Sequence, residues 1–274
     1  MSTFSVQTIA REIKAAQDKT TQLTPFTSRF SDFDAASAYE VARLIHETRM
    51  SEGAVPVGRK IGFTNPDMWH LYGVREPIWA YIYDKTVVPF SETRIKCDIE
   101  HFAEPRIEPE IVAHFRMSPP ITNDIAEILD CIDWIAHGIE IVQSHFPGWK
   151  FRAPDTIADW ALHGTLLIGK PQDTSRLGPD LILRLERFSV TLLCNGIVRE
   201  VGRGSNVLGS PLIALSHLIA ILAARPPSVP IQSNELVTTG TLTKALTIRS
   251  GETWSTVIEG IALPDMNVEF EDLS

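Results

Sequence analysis

The chain reads as an α+β protein, a helical N-terminal portion set on a β-rich main body. Three observations carry that reading. Apolar residues recur at helical spacing in the first part of the 274-residue chain. From Lys60 onward the texture changes to short β-branched and aromatic runs broken by proline and glycine. Between two such runs lies Asn195-Gly196, a pair suited to a type I′ hairpin turn. We place the division at residues 1–75 for the helical portion and 76–274 for the β-rich domain.

Taken in order, Ile9, Ile13 and Ala16 mark a first helix. A second carries Val41, Leu44, Ile45 and Thr48, with Asp34 as its N-cap. Between them residues 23–33, with Pro25, read as a linker. Strand-like runs follow at 79–83, 107–115, 139–142 and 166–168. One long helix is expected among them: Asp124 caps it, Ile125, Ile128, Leu129, Ile132, Ile135 and Ala136 form its stripe, and Gly138 ends it. Residues 189–201 read as the hairpin, and a helix over 211–224 stops at Pro226-Pro227. The remainder, 235–270, is again strand-like.

The most informative stretch is Arg106-Ile107-Glu108-Pro109-Glu110-Ile111-Val112. Side chains two apart on a strand share a face, so Glu108 and Glu110 project side by side. Like charges at that distance repel unless a cation lies between them. Glu140 sits in a similar apolar setting, Gly138-Ile139-Glu140-Ile141-Val142. Carboxylates are costly to bury uncompensated, and an all-oxygen ligand set suits a hard ion such as Mg²⁺ or Mn²⁺. The plain alternative is a solvated strand face, which suits Glu108 and Glu110 better than Glu140. Pro109 cannot donate to a ladder and suggests an edge strand or a bulge.

Composition narrows the function classes. A net charge of −9 with no Lys/Arg-rich stripe argues against nucleic acid as a partner. With no run of about 18 apolar residues, no membrane span is expected. The N-terminus lacks the pattern of a signal peptide. Cys97, Cys131 and Cys194 form neither a CxxC pattern nor a disulfide framework. They fit core positions in a cytoplasmic protein with reduced thiols.

Several segments together resemble a known group. Gly58-Arg59-Lys60-Ile61-Gly62-Phe63-Thr64 is similar to the G-x-K-I/V-G-L-T segment of the 2-keto-4-pentenoate hydratase and 4-oxalocrotonate decarboxylase family, within the fumarylacetoacetate hydrolase-like superfamily. Further matches follow in the same order: Tyr72-Gly73-Val74, the Arg106 to Glu110 segment, Glu140-Ile141-Val142, Asp155-Thr156-Ile157-Ala158-Asp159, Gly202-Arg203-Gly204-Ser205, Leu208-Gly209-Ser210-Pro211 and Thr239-Gly240-Thr241. They span roughly residues 58 to 245.

The resemblance implies a mixed β-roll main body, homo-oligomers, and a Mg²⁺ or Mn²⁺ ion on Glu108, Glu110 and Glu140. It implies a small 2-oxo acid or 2-hydroxydienoate as substrate, chelating the ion. Hydration of the dienoate to a 4-hydroxy-2-oxo acid is the leading reaction. A 4-oxalocrotonate-type decarboxylation is the first alternative, then acylpyruvate-type C–C hydrolysis, then a non-catalytic binding subunit. Lys60 is expected near the substrate oxygen, as a balancing cation or, if burial lowers its pKa, a proton carrier. Thr241 matches a substrate-carboxylate position, with a plain strand residue as the alternative.

The chain departs from the hydratase pattern at Glu76-Pro77-Ile78-Trp79-Ala80, where Ile78 replaces an acid proposed to handle protons. Trp160 follows Asp159 where the hydratases have Asn. Trp79, Tyr81 and Trp160 are therefore expected to line the pocket. His163, or His145 beside Ser144, is expected to carry protons, with Ser144 a substrate contact. His70 is a weaker candidate for the water-activating histidine of the hydrolases.

Overall fold

The computed structural model describes residues 4–66, 69–89, 94–225 and 228–271. Three helices open it: α1 (Val6–Lys19), α2 (Phe26–Arg29) and α3 (Ala35–Ser51). Ile9, Ile13 and Ala16 are the buried stripe of α1, and Asp34 caps α3 by accepting from the Ser37 N–H. The expected linker contains the single turn α2. Next come β1 (Pro56–Gly62), α4 (Trp69–Tyr72), β2 (Ile78–Tyr83), β3 (Val87–Pro89), β4 (Ile95–Asp98) and β5 (Arg106–Phe115). The middle of the chain forms α5 (Ile125–Asp130), β6 (Ile132–Val142), α6 (Ala153–Ala158), β7 (His163–Ile168), β8 (Gln172–Asp173) and α7 (Leu181–Arg187). The rest comprises β9 (Ser189–Cys194), β10 (Ile197–Arg203), α8 (Pro211–Ala224), β11 (Leu236–Thr238), β12 (Leu246–Thr247), β13 (Thr253–Glu259) and β14 (Asn267–Glu271).

Among the described residues these strands form a nine-stranded sheet, ordered β2-β1-β11-β5-β6-β7-β3 with β12 on β5 and β8 on β6, and a five-stranded sheet, β10-β9-β13-β14-β4. Alternation along the strands gives the large sheet two faces. One face carries Ile107, Ile139, Ile141 and Leu167, which pack against Leu192, Cys194, Trp254, Val268 and Phe270 of the small sheet. Ile61, Ile111 and Val237 extend that face under α8. The segment Gly204–Ala224 is long and apolar enough to cross a membrane by composition. Its Leu212, Leu215, Leu218 and Leu222 are instead buried in this core. Part of the β2 edge packs on the N-terminal helices, through Ile78 and Ala80 against Ile9, Ile13, Val41 and Ile45.

Several expectations are corrected. The long helix from Asp124 is only α5, and the chain becomes β6 at Ile132. Because β6 is an interior strand buried on both faces, its near-continuous apolar run looks the same as a buried helix. Gly138 is not a C-cap; it stands mid-strand opposite Glu110, where a Cβ would meet Val112 Cγ2 at 2.6 Å. Strand structure also begins before the boundary expected at residue 75, since β1 pairs with both β2 and β11 in the large sheet. Its alternation was hidden because Arg59 and Lys60 are both buried, on opposite faces.

Pro109 is on neither an edge nor a bulge. It lies in interior β5, facing the gap between β11 and β12, where the Leu242 N–H donates to its carbonyl. The hairpin turn is as expected, with Asn195 and Gly196 both left-handed at φ 51° and 77°. Pro226 and Pro227, the expected stop of α8, lie outside the described residues.

Candidate active site

The second face of the large sheet carries the charges. In the β5–β6 register Glu108 stands directly opposite Glu140, and Glu110 opposite Gly138. Each of the three carboxylates offers one oxygen to a cluster whose members all lie within 4.8 Å of one another. Glu110 and Glu140 are fully buried and Glu108 is partly buried. Lys60, opposite Thr238 on the adjoining strand, is 2% exposed and places Nζ 2.8 Å from Glu140 Oε2.

β7 supplies the next residue through an irregularity. Its register against β6 shifts between Ile141 and Val142, so that His163 rather than Gly164 faces Val142. That shift turns the imidazole to the carboxylate face, where Nδ1 lies 2.6 Å from Glu140 Oε1 and Nε2 lies 2.8 Å from Thr86 Oγ1. The chain reaches His163 through three successive left-handed residues, Trp160, Ala161 and Leu162, at φ 55°, 47° and 64°. Such backbone costs on the order of 1–2 kcal/mol per residue. Here it is held by hydrogen bonds from Trp160 Nε1 to the Tyr81 carbonyl (2.6 Å) and from Leu162 N to Asp159 O (2.8 Å).

A glycine completes the cluster. Gly240, at φ 99°, donates its N–H to Glu110 Oε2 at 2.9 Å, and any Cβ there would lie 1.9 Å from Thr64 Oγ1. Only glycine lets that loop lie close enough to hold the carboxylate.

Electrostatics follow from burial and from the single lysine. Burial, with the Glu140 charge adding to it, pushes Glu108 up to about 7 against the opposing pull of Lys60. Burial and the charges of Glu140 and Glu108 raise Glu110 well above the carboxylate range. Glu140 goes the other way: burial disfavours its charge, but Lys60 and His163 hold its pKa down to about 2. Burial would lower the Lys60 pKa, yet Glu140, Glu108 and Glu110 together keep it above its ordinary value. With no metal bound, these carboxylates hold Lys60 in its charged form.

One lysine does not neutralise three carboxylates, and Glu110 Oε1 is buried with no hydrogen-bond partner among the described residues. An unpaired buried carboxylate oxygen beside two further carboxylates is what a hard divalent cation would satisfy. The donor set fits Mg²⁺ or Mn²⁺.

Other expected site residues stand elsewhere. Trp79 pairs with Ile61 on the opposite face from Lys60, where its ring stacks on Tyr39 at 5.9 Å and lies under the Arg59 guanidinium at 5.6 Å. Tyr81 shares that face, so neither ring lines the carboxylate pocket. Trp160 does stand near it, 5.0 Å edge-on from His163.

The Ser144 hydroxyl is buried in its own turn, bonded to the carbonyl and N–H of Phe146 at 2.9 and 3.1 Å. The Thr241 hydroxyl likewise closes a turn on Thr243, and the neighbouring Gly240 N–H faces the site instead. His145 is tied to Asp159, its Nδ1 at 2.8 Å from the carboxylate, beside Gln17 of α1. That pair joins the helical portion to the main body. His70 is exposed on α4.

Thr86 and Gly240 are the contributors that sequence reasoning missed. Thr86 lies in a short turn with no motif, but the glycine of Thr239-Gly240-Thr241 was a readable signal.

No protein-family model matches the chain. It is 26% identical over 259 residues to 2-hydroxyhexa-2,4-dienoate hydratase of Comamonas testosteroni, covering 93% of this chain and 94% of that protein. It is 30% identical over 220 residues to a 4-oxalocrotonate decarboxylase of a Pseudomonas species, covering 78% and 79%. Its fold matches a solved 4-oxalocrotonate decarboxylase of Pseudomonas putida, complexed with magnesium and adipate, at TM-score 0.87 and 25% identity, with 98% and 100% of the two chains aligned.

Proposed function

The chain belongs to the 2-keto-4-pentenoate hydratase and 4-oxalocrotonate decarboxylase family, and we propose that it is a divalent-metal-dependent lyase that adds water to a 2-hydroxy-2,4-dienoate to give a 4-hydroxy-2-oxo acid. The observation that carries the reading is the cluster of Glu108, Glu110 and Glu140 with Lys60 bonded to one edge.

In this reading the three carboxylates hold Mg²⁺ or Mn²⁺, which when bound acts as a Lewis acid toward the substrate's 2-oxygen. Lys60, 2.8 Å from Glu140, is placed to stabilise negative charge developing on that oxygen. Water's oxygen adds to C4 and its proton goes to C5, while the enol proton moves to C3. His163, with both ring nitrogens engaged, orients Glu140 and does not exchange protons with substrate. Ile78 packs in the apolar cluster of the N-terminal helices, so the proton relay in this chain does not use an acid at that position.

Further parts of the reading are that the helical N-terminal segment and the β-rich body form two units, that the protein works as a homo-oligomer, and that it is cytoplasmic. The exposed Val198, Val201 and Val257 of the small sheet support the second, and three buried free cysteines support the third.

The test is to incubate the Mg²⁺-loaded protein with 2-hydroxypenta-2,4-dienoate and, separately, with 2-oxohex-3-enedioate, following dienol absorbance and CO₂. Loss of absorbance without CO₂ is the expected result. Release of CO₂ from the diacid would replace hydration by decarboxylation, and inertness toward both would overturn the lyase reading.

A further inference from the structure

Where the large sheet packs on the small one, an imidazole stands among branched apolar side chains. Ile135, His137, Ile139 and Ile141 share one face of β6, and all four are buried. Both nitrogens of the His137 ring are used. Nδ1 lies 3.2 Å from the Glu110 carbonyl oxygen, and Nε2 lies 3.0 Å from Thr256 Oγ1 of β13. Burial pushes the His137 pKa down to about 4, so the ring is neutral. A carbonyl only accepts, so Nδ1 carries the proton and Nε2 accepts from the Thr256 hydroxyl. The Thr256 oxygen in turn accepts from the Met266 N–H at 3.0 Å. A directional chain of hydrogen bonds thus runs from the small sheet to the backbone of Glu110.

Stability alone does not account for this chain. Replacing both members of a buried hydrogen-bonded pair by apolar groups of like shape is nearly neutral or stabilising. What sets the ring apart is the atom it holds. Glu110 stands where β5 is least supported: the strand pairs with β11 through Val112 to His114 and with β12 through Arg106 and Ile107. Between these stretches β5 has no strand on that side, and Pro109 has no N–H to give. Only loop N–H groups, from Thr239 and Leu242, bond the carbonyls of Ile111 and Pro109 across the gap. The carboxylate of Glu110 is held by the Gly240 N–H at one oxygen, while the other is buried without a partner.

We propose that His137 is a positioning residue for the metal site: by holding the Glu110 carbonyl from the apolar face, it fixes where the Glu110 carboxylate stands beside Glu108 and Glu140. The inference rests on the metal-dependent reading of that cluster and deepens it. The ring touches neither metal nor substrate and acts through the backbone of a ligand, as outer partners of metal sites do.

The experiment measures Mn²⁺ affinity of the metal-free full-length protein, by the paramagnetic resonance of the free ion, alongside denaturant unfolding without metal. His137→Asn keeps an N–H donor near the place of Nδ1. His137→Gln carries its amide to the Nε2 end, toward Thr256, and His137→Phe removes both groups. His137→Gln and His137→Phe are expected to weaken Mn²⁺ binding by about 10- to 100-fold, and His137→Asn by less than about threefold. Mn²⁺ affinity unchanged in His137→Gln and His137→Phe, whatever their unfolding shows, would make the ring merely structural and overturn the proposal. Should His137→Phe not fold, the Asn and Gln variants decide, equal affinity in the two being the contrary result. No tight Mn²⁺ in wild type would sink the metal reading and this inference together, whereas tight wild-type binding unmoved by these variants would sink the inference alone.

Discussion

Arg59 and Lys60 are consecutive, both all but completely buried, and they do opposite things. Arg59 points into the core face, against the Trp79 and Tyr81 rings, with Glu235 as its ion-pair partner at 3.3 Å. Lys60 points to the other face, where three carboxylates share it. One strand thus spends one cation on packing and the next on a reactive centre. The same contrast runs through β5 and β6, where Ile107, Ile139 and Ile141 alternate with Glu108 and Glu140. The apolar face supplies the rigidity that lets the polar face hold like charges together without collapsing.

The largest expected effect comes from breaking the polar face at its most connected point. Glu140→Gln removes the group shared by Lys60 and His163 and should lower turnover at least about a thousandfold, the loss of several kcal/mol of charge stabilisation. A change of less than tenfold in a steady-state assay would show that the two faces do not differ in this way. The matching break in the apolar face is Ile139→Ala. It should cost about 2–5 kcal/mol in denaturant unfolding while leaving Mg²⁺ affinity at saturating folded protein nearly unchanged. If it weakened metal binding as much as stability, the faces would not be separable.

A finer break is His163→Gln. As an orienting partner of Glu140, its loss should raise the Mg²⁺ concentration needed for half activity by about 10–100-fold, with turnover largely recovered at saturating metal. Turnover that stays low at every metal concentration would make His163 a proton carrier instead.

The smallest effect is on stability against pH without metal. Glu108 has a folded pKa near 7 and Glu110 one well above the usual carboxylate range. The unfolded chain therefore gives up these protons first, and stability of the metal-free protein should fall as pH rises from about 4.5 toward 7. Glu140 acts in the opposite sense, and its contribution is lost only as pH falls through about 2. Thermal melts should show a falling Tm over that upper window, with Mg²⁺ raising Tm more at pH 8 than at pH 5. A Tm of the metal-free protein that rises steadily from pH 5 to 8 would contradict the raised values.

Much of this was legible in the sequence, for physical reasons that can be named. The two-residue spacing of Glu108 and Glu110 predicts a shared face wherever a strand forms. The Asn195-Gly196 turn and the Asp34 cap are local chemistry, read without knowing the fold. What failed depended on neighbours distant in the chain. A strand buried on both faces imitates a helix stripe, which hid β6. Trp79 was expected in the pocket because its position in a motif does not state its parity relative to Lys60, and the β1–β2 register does. Ser144 and Thr241 are hydroxyls whose partners, Phe146 and Thr243, lie two residues on. Turn closure was the cheaper explanation for both.

The claim that the polar face of the large sheet is one divalent-cation site is tested most directly by equilibrium titration of the metal-free protein with Mn²⁺, read by the electron paramagnetic resonance of the free ion. The account predicts one tight Mn²⁺ per chain, displaced by excess Mg²⁺, with that binding lost in Glu110→Gln. Unchanged binding in Glu110→Gln, or no tight Mn²⁺ in the wild-type protein, would contradict it.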